Sequence, residues 1–328
     1  MYHVHASYVL FSFDLTLLRE SKMYYVCYFI YFIFILHNAE AATQKQLDAI
    51  FFRVYTSNDV NPYVDEYLKN STRILSHIDN KKQIVIYIHG FTESINSSSV
   101  DSIVQAYISR GDHNIVAVDW SKIANENYLE VVASVDEVGA YIAHAISDIA
   151  CADYSITRKL HIIGHSMGAH VAGALGRNIK PLLPRITGLD PAGPLFNLLR
   201  SPLTKADAEF VDIIHTDAGL YGKTRGTGTV DFWPNKGTRV QPGCPKAAAI
   251  YSNDDFCSHH RSWVFYAESV ISEKAFLAVR CSSDTKSSRV EFKVIPMGFA
   301  TPREARGNYC LKTSSQKPYG LKMKGANE

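Results

Sequence analysis

The run Gly164-His165-Ser166-Met167-Gly168 sets a serine between glycines two residues to either side. A serine hydroxyl is a weak nucleophile until a base takes its proton and a third group orients that base. The five-residue pattern alone is a weak signal, and its context strengthens it. Residues 159–163 read as a short buried strand, and residues 167–178 read as a helix. A strand that turns sharply into a helix is the setting a nucleophile elbow needs, with glycines where side chains would clash. Ala169, Ala172, Gly173 and Gly176 are small enough to bring that helix close to a sheet.

With this geometry the acid should follow the serine in the chain, and the histidine should follow the acid. Asp190 ends the apolar run 186–189 and is followed by the stiff turn Pro191-Ala192-Gly193-Pro194. Its competitors fit less well. Asp212 lies within a strand-like run, Asp217 follows one without a stiff turn, and Asp231 reads as part of a long loop. Asp190 is therefore the candidate acid. The base is sought in Cys257-Ser258-His259-His260-Arg261, which reads as a loop and leaves His259 and His260 both open. His215 also competes, but it closes a strand and reads equally as a core histidine. Acyl transfer builds negative charge on a carbonyl oxygen, so N–H groups must already point at it. The Met167 N–H follows the nucleophile. The Phe91 N–H, in His89-Gly90-Phe91-Thr92, follows an early strand at 83–88.

The elements that must hold these groups alternate along the chain. Strand-like runs at 83–88, 114–118, 159–163, 186–189 and 210–214 are interleaved with helical stretches at 102–109, 135–149 and 167–178. This predicts an α/β fold with a mostly parallel central sheet and helices on both faces. Sites in such folds lie at the carboxyl ends of strands, where the motifs fall.

The chain has 328 residues, with 34 Lys and Arg against 32 Asp and Glu, so nucleic acid is not an expected partner. Apolar residues make up 46% and charged residues 20%, which excludes wholesale disorder. Residues 24–36 form an apolar run of 13, short of the roughly 20 that span a bilayer but suited to a signal peptide. Lys22 precedes the run and Ala39-Glu40-Ala41 fits a cleavage site. We expect a signal peptide over 1–41, with Met23 as the start and 1–22 as an upstream extension. That leaves 42–328 as one domain. Its five cysteines, and the sequons at Asn70 and Asn96, fit a secreted glycoprotein.

Taken in order, several runs resemble the secreted animal lipases of the pancreatic lipase family, above all its insect members and the related phospholipases A1. They are Ile88-His89-Gly90-Phe91, Val118-Asp119-Trp120, residues 164–170, residues 188–194, residues 210–216, residues 230–235, residues 241–244 and residues 257–261. The resemblance implies an α/β-hydrolase fold. It implies Ser166 as nucleophile, Asp190 as acid and His259 as base, His259 being chosen over His260 by the family's Cys-x-His-x-Arg pattern. It supports Phe91 and Met167 as oxyanion donors. It also implies a disulfide between Cys244 and Cys257, bracketing a lid of 12 residues. In the family so short a lid goes with phospholipase A1 activity. The expected function is thus a serine lipase cleaving the sn-1 ester of phospholipids. Hydrolysis of neutral glycerides stands second, and lipid binding without activity third.

The remaining expectations concern partners and departures from the family. The substrate is met at a lipid–water interface, with transient contact to a membrane surface. The chain ends soon after the catalytic region, so no β-sandwich and no colipase partner are expected. At the family's calcium loop Asp207 matches one acidic position, but Thr204 stands at another, and Leu199 and Pro202 also depart. No calcium and no other cofactor is expected, because hard cations need several oxygen ligands. Residues 219–243 read as a flexible cleft wall whose Lys223, Arg225, Lys236 and Arg239 are candidates to meet phosphate headgroups. Cys281 and Cys310 are candidates for a second bridge, which would leave Cys151 over, and the sequence alone leaves the pairing of these three open.

Overall fold

The computed structural model describes residues 41–56, 62–282 and 294–327. The expected signal peptide, apart from Ala41, and the start at Met23 lie outside the described residues. Eleven strands form one sheet among them. They are β1 (Phe51–Tyr55), β2 (Tyr63–Tyr67), β3 (Gln83–Ile88), β4 (His113–Asp119), β5 (Leu160–His165) and β6 (Arg185–Leu189), then β7 (Val211–Ile214), β8 (Val230–Pro234), β9 (Leu277–Arg280), β10 (Val294–Pro296) and β11 (Gly307–Leu311). The order across the sheet is β10-β9-β11-β8-β7-β6-β5-β3-β4-β1-β2. From β11 to β4 every pairing is parallel, and antiparallel strands close both edges. The long helices are α1 (Ser98–Arg110), α2 (Tyr128–Ala152), α3 (Met167–Asn178) and α4 (Cys257–Ile271).

The central strands are unbroken apolar runs because both faces of the sheet are covered. Side chains alternate between two cores. Ile84, Ile86, Ile88, Val116, Val118 and Ile162 join the core beneath α2 and α3. Val85, Tyr87, Ile115, Ala117 and Ile163 join the core beneath α1 and α4. Helices therefore cover both faces, as an α/β-hydrolase requires. The crossing from β5 into α3 is tight. A Cβ on Gly168 would lie 2.3 Å from the Ile88 carbonyl oxygen, and one on Gly164 would lie 2.3 Å from the Gly168 carbonyl oxygen. Only glycine allows α3 to start so close to the end of β3.

Two local expectations change, and one element was not expected. The stretch 219–243 is not loop throughout: Val230–Pro234 is β8, paired on both sides inside the sheet. Asp231 and the terminal Pro234 interrupt its apolar run, which hid the strand. Asp231 accordingly sits in a strand. The segment 257–261 is the first turn of α4 rather than a loop. Its polar and aromatic residues carry no clear apolar stripe until Phe265 and Tyr266. Finally, β1 and β2 form an edge hairpin that no clean period announced, since β2 faces outward with Tyr63 and Tyr67 exposed.

Candidate active site

Ser166 stands at the end of β5 with φ 53 and ψ −119, a left-handed backbone that a side-chain-bearing residue adopts only when its surroundings enforce it. The enforcement is visible. The Ser166 N–H donates to the Leu189 carbonyl at 3.0 Å, and the Ala192 N–H donates to the Ser166 carbonyl at 3.2 Å. The elbow is thereby pinned to the end of β6, where Asp190 also has a positive φ of 43.

Asp190 is fully buried. Its Oδ1 accepts the N–H of Thr216 at 2.8 Å and of Asp217 at 3.2 Å, both just past β7. Its Oδ2 faces His259 Nδ1 at 2.5 Å. Three consecutive strand ends and the first turn of α4 thus fix one carboxylate–imidazole pair. Burial pulls the His259 pKa below its ordinary 6.5, against the opposing pull of Asp190, so the imidazole is neutral at neutral pH. A neutral imidazole whose Nδ1–H is held by Asp190 presents Nε2 as a base. The Cys244–Cys257 disulfide ends two residues before His259 and anchors this turn.

The loop expected to supply an oxyanion donor follows β3. Phe91 packs its ring edge on Tyr128 at 5.2 Å. The Thr92 N–H is taken by the Ala124 carbonyl and the Gly90 N–H by the Glu93 carboxylate. Among the described residues no hydrogen bond occupies the Phe91 N–H.

The competing residues are committed elsewhere. Asp212 makes a bidentate pair with Arg185, both bonds 2.8 Å, inside the sheet. His215 Nε2 pairs with Asp231 at 2.8 Å, and its ring stacks on Trp233 at 3.9 Å, as a core histidine does. Asp217 is held by two 2.9 Å bonds from Arg239. Burial and the nearby Asp190 nevertheless push Asp217 up to about 7. His260 stacks on Phe256 at 5.6 Å, and burial lowers its pKa to about 3.

Two of the four headgroup candidates are withdrawn. Lys223 is buried and donates to the Phe196 carbonyl at 3.0 Å. Arg239 spans Asp217 and, at 3.0 Å, Asp255 at the base of the lid. Their partners lie in distant segments, so nothing local showed the inward turn. Arg225 and Lys236 remain exposed. Asp255 also accepts from the Tyr221 hydroxyl, latching the lid to the opposite wall, and from the Tyr251 N–H within the lid. Beyond the latch, Ile250 and Tyr251 are exposed. The second bridge is Cys281–Cys310, and Cys151 is free and exposed. Asp207 is buried and turned toward Arg177 at 3.1 Å and the Thr204 N–H at 2.8 Å. Among the described residues no group of three or more His, Cys, Asp or Glu is placed to hold a metal.

Sequence reasoning missed the Arg239–Asp255 latch and Glu93, which joins the loop after β3 to His165. Glu93 lies three residues after Gly90, a spacing that a turn brings together, and this was its only signal.

A strained serine at a strand–helix elbow, beside a buried Asp–His pair at the carboxyl edge of a parallel sheet, defines an α/β-hydrolase. The Lipase family model matches residues 36–319, and the chain belongs to that family, as a member of its pancreatic lipase group. It is 31% identical over 258 residues to a protein named pancreatic triacylglycerol lipase from Oryctolagus cuniculus, covering 72% of this chain and 55% of that one. It is 35% identical over 253 residues to one named inactive pancreatic lipase-related protein 1 from Homo sapiens, covering 71% and 54%. It is 32% identical over 251 residues to lipase member H-A from Xenopus laevis, covering 76% and 54%. The chain thus spans about half the length of the relatives it matches. Among solved structures, an esterase from Pyrococcus furiosus is similar at 17% identity and a TM-score of 0.33, covering 55% of this chain and 77% of that one.

Proposed function

We propose that the chain is a serine lipase that hydrolyses carboxylic esters of lipids, with the sn-1 ester of phospholipids as its main substrate. The observation that carries the hydrolytic reading is the 2.5 Å bond from His259 to Asp190 in the fold that strains Ser166. In this reading His259 Nε2 takes the Ser166 proton as Oγ attacks the ester carbonyl. Asp190 holds the working tautomer and stabilises the imidazolium. The N–H groups of Phe91 and Met167 receive the oxyanion. His259 then returns the proton to the leaving alcohol, and water attacks the acyl-enzyme in the reverse sense to free the fatty acid.

The phospholipid preference is supported by the lid. Its cysteines are 13 positions apart, and its base is latched by Asp255, so it covers little apolar surface. The pancreatic relatives named triacylglycerol lipases favour a second reading, hydrolysis of neutral glycerides. Secretion is part of the proposal. It is supported by the two disulfides, which persist in oxidising compartments. No described helix is long and apolar enough to cross a membrane. The deciding experiment offers phosphatidylcholine labelled at sn-1 or sn-2, and triolein, to residues 42–328 and to the Ser166→Ala variant. Release of the sn-1 chain with little triolein turnover supports the reading. Dominant triolein turnover replaces it with the second reading. No turnover of any ester leaves a lipid-binding role.

A further inference from the structure

The proposed chemistry gives no role to Glu93, a half-buried carboxylate beside the site. Glu93 follows Phe91 by two residues. Its Oε2 accepts the Gly90 N–H at 2.5 Å and faces His165 Nδ1 at 3.1 Å. Its side chain is 15% exposed. Burial pushes its pKa up, but His165, His89 and the Gly90 N–H outweigh burial and hold it below the ordinary carboxylate range. The group is therefore an anion at neutral pH.

Its two partners belong to the two halves of the site. Gly90 opens the loop that carries the Phe91 N–H. His165 immediately precedes Ser166, whose next residue carries the Met167 N–H, and its ring lies 4.8 Å from that of His259. The halves are in close contact: a Cβ on Gly90 would lie 3.0 Å from both Glu93 Oε2 and Ser166 Cβ. The loop also needs restraint, since Thr92 is β-branched and has φ 58. The bond from the Thr92 N–H to the Ala124 carbonyl ties it outward at 2.9 Å. Among the described residues only Glu93 ties it inward to the elbow by a hydrogen bond.

We propose, resting on the reading of Phe91 and Met167 as oxyanion donors, that Glu93 is a positioning residue that clamps the oxyanion loop to the nucleophile elbow through Gly90 N–H and His165. Two N–H donors serve an oxyanion only if their separation is fixed before the reaction. Glu93 fixes it with one oxygen shared between the two halves. It does not touch the substrate.

The test uses the full chain with Glu93→Ala, Glu93→Gln and Glu93→Asp, each assayed for kcat, KM, the rate of phosphonylation by a fluorophosphonate, and Tm. Phosphonylation also builds charge on an oxygen in the hole, so it reads the clamp without lipid binding. Glu93→Ala is expected to lose about 10- to 100-fold in kcat, less than removal of a donor outright, with KM within about threefold. Phosphonylation should slow in step. Gln keeps an acceptor oxygen at the same reach and should recover most of the loss. An alanine variant within about threefold of wild type in kcat, or a glutamine variant no better than alanine, overturns the clamp. If the alanine variant does not fold, aspartate decides. Its carboxylate is one methylene short of spanning both partners, so a loss of about fivefold or more supports the clamp and wild-type kcat overturns it. A wild-type chain that neither hydrolyses esters nor reacts with the probe refutes the proposed function itself, and the clamp with it. A reactive wild type with an unaffected alanine variant refutes the clamp alone.

Discussion

Replacing Asp190 by asparagine tests the geometry at its most constrained point. The amide is nearly isosteric with the carboxylate, so the fold should persist. Its orientation is not free. Oδ1 of Asp190 receives two N–H donors, from Thr216 at 2.8 Å and Asp217 at 3.2 Å. Only the amide oxygen can take that place, so the amide nitrogen must face His259. The histidine must then accept at Nδ1 and carry its proton on Nε2, which cannot remove the Ser166 proton. Fixing the wrong tautomer in this way costs a related constellation about 10⁴ in kcat, or about 5 kcal/mol of transition-state stabilisation. We expect Asp190→Asn to lose about 10³- to 10⁴-fold in kcat on a soluble short-chain ester, with KM little changed. Near-ultraviolet circular dichroism should match wild type. A variant that keeps its fold and more than about a tenth of wild-type kcat refutes the tautomer argument.

Other consequences follow from the same contacts. Because His259 is shifted below its ordinary 6.5, its neutral form persists into mild acid, and kcat/KM should hold at about pH 6.5 and fall only below it. A profile flat down to about pH 4 would exclude His259 as the base. His215→Gln should leave kcat within about threefold while costing about 1–3 kcal/mol of stability in urea unfolding, because it breaks the pair with Asp231. A large loss of kcat at full stability would return His215 to the list of bases. Asp255→Asn removes the carboxylate that ties Arg239 to the lid and should speed tryptic cleavage after Lys246 in the lid, with little change in Tm. Unchanged cleavage would mean that the disulfide alone holds the lid.

The candidate site was legible in the sequence wherever residue chemistry and local geometry coincide. The elbow, the stiff turn after Asp190 and the apolar runs of β3 to β7 each combine residue type with spacing, and the fold follows from their alternation. Choosing His259 over His260 took the family pattern, because both sit on the first turn of α4 and only packing separates them. What stayed hidden depends on contacts between distant segments. Arg239 and Lys223 look like surface cations until Asp217, Asp255 and the Phe196 carbonyl are seen around them. β8 is concealed because its aspartate is hydrogen-bonded to a histidine from the preceding strand end, a compensation no local window contains. Glu93 is hidden for the same reason, since its meaning lies in His165, 72 positions later.

The central claim is that Ser166 is an activated nucleophile. It is tested most directly by treating the chain with a fluorophosphonate and locating the adduct by peptide mass spectrometry. One adduct is expected, on Ser166, formed rapidly in wild type, slowly in Asp190→Asn and not at all in Ser166→Ala. An adduct on another residue that persists in Ser166→Ala, or a folded wild-type chain that does not react, would contradict it.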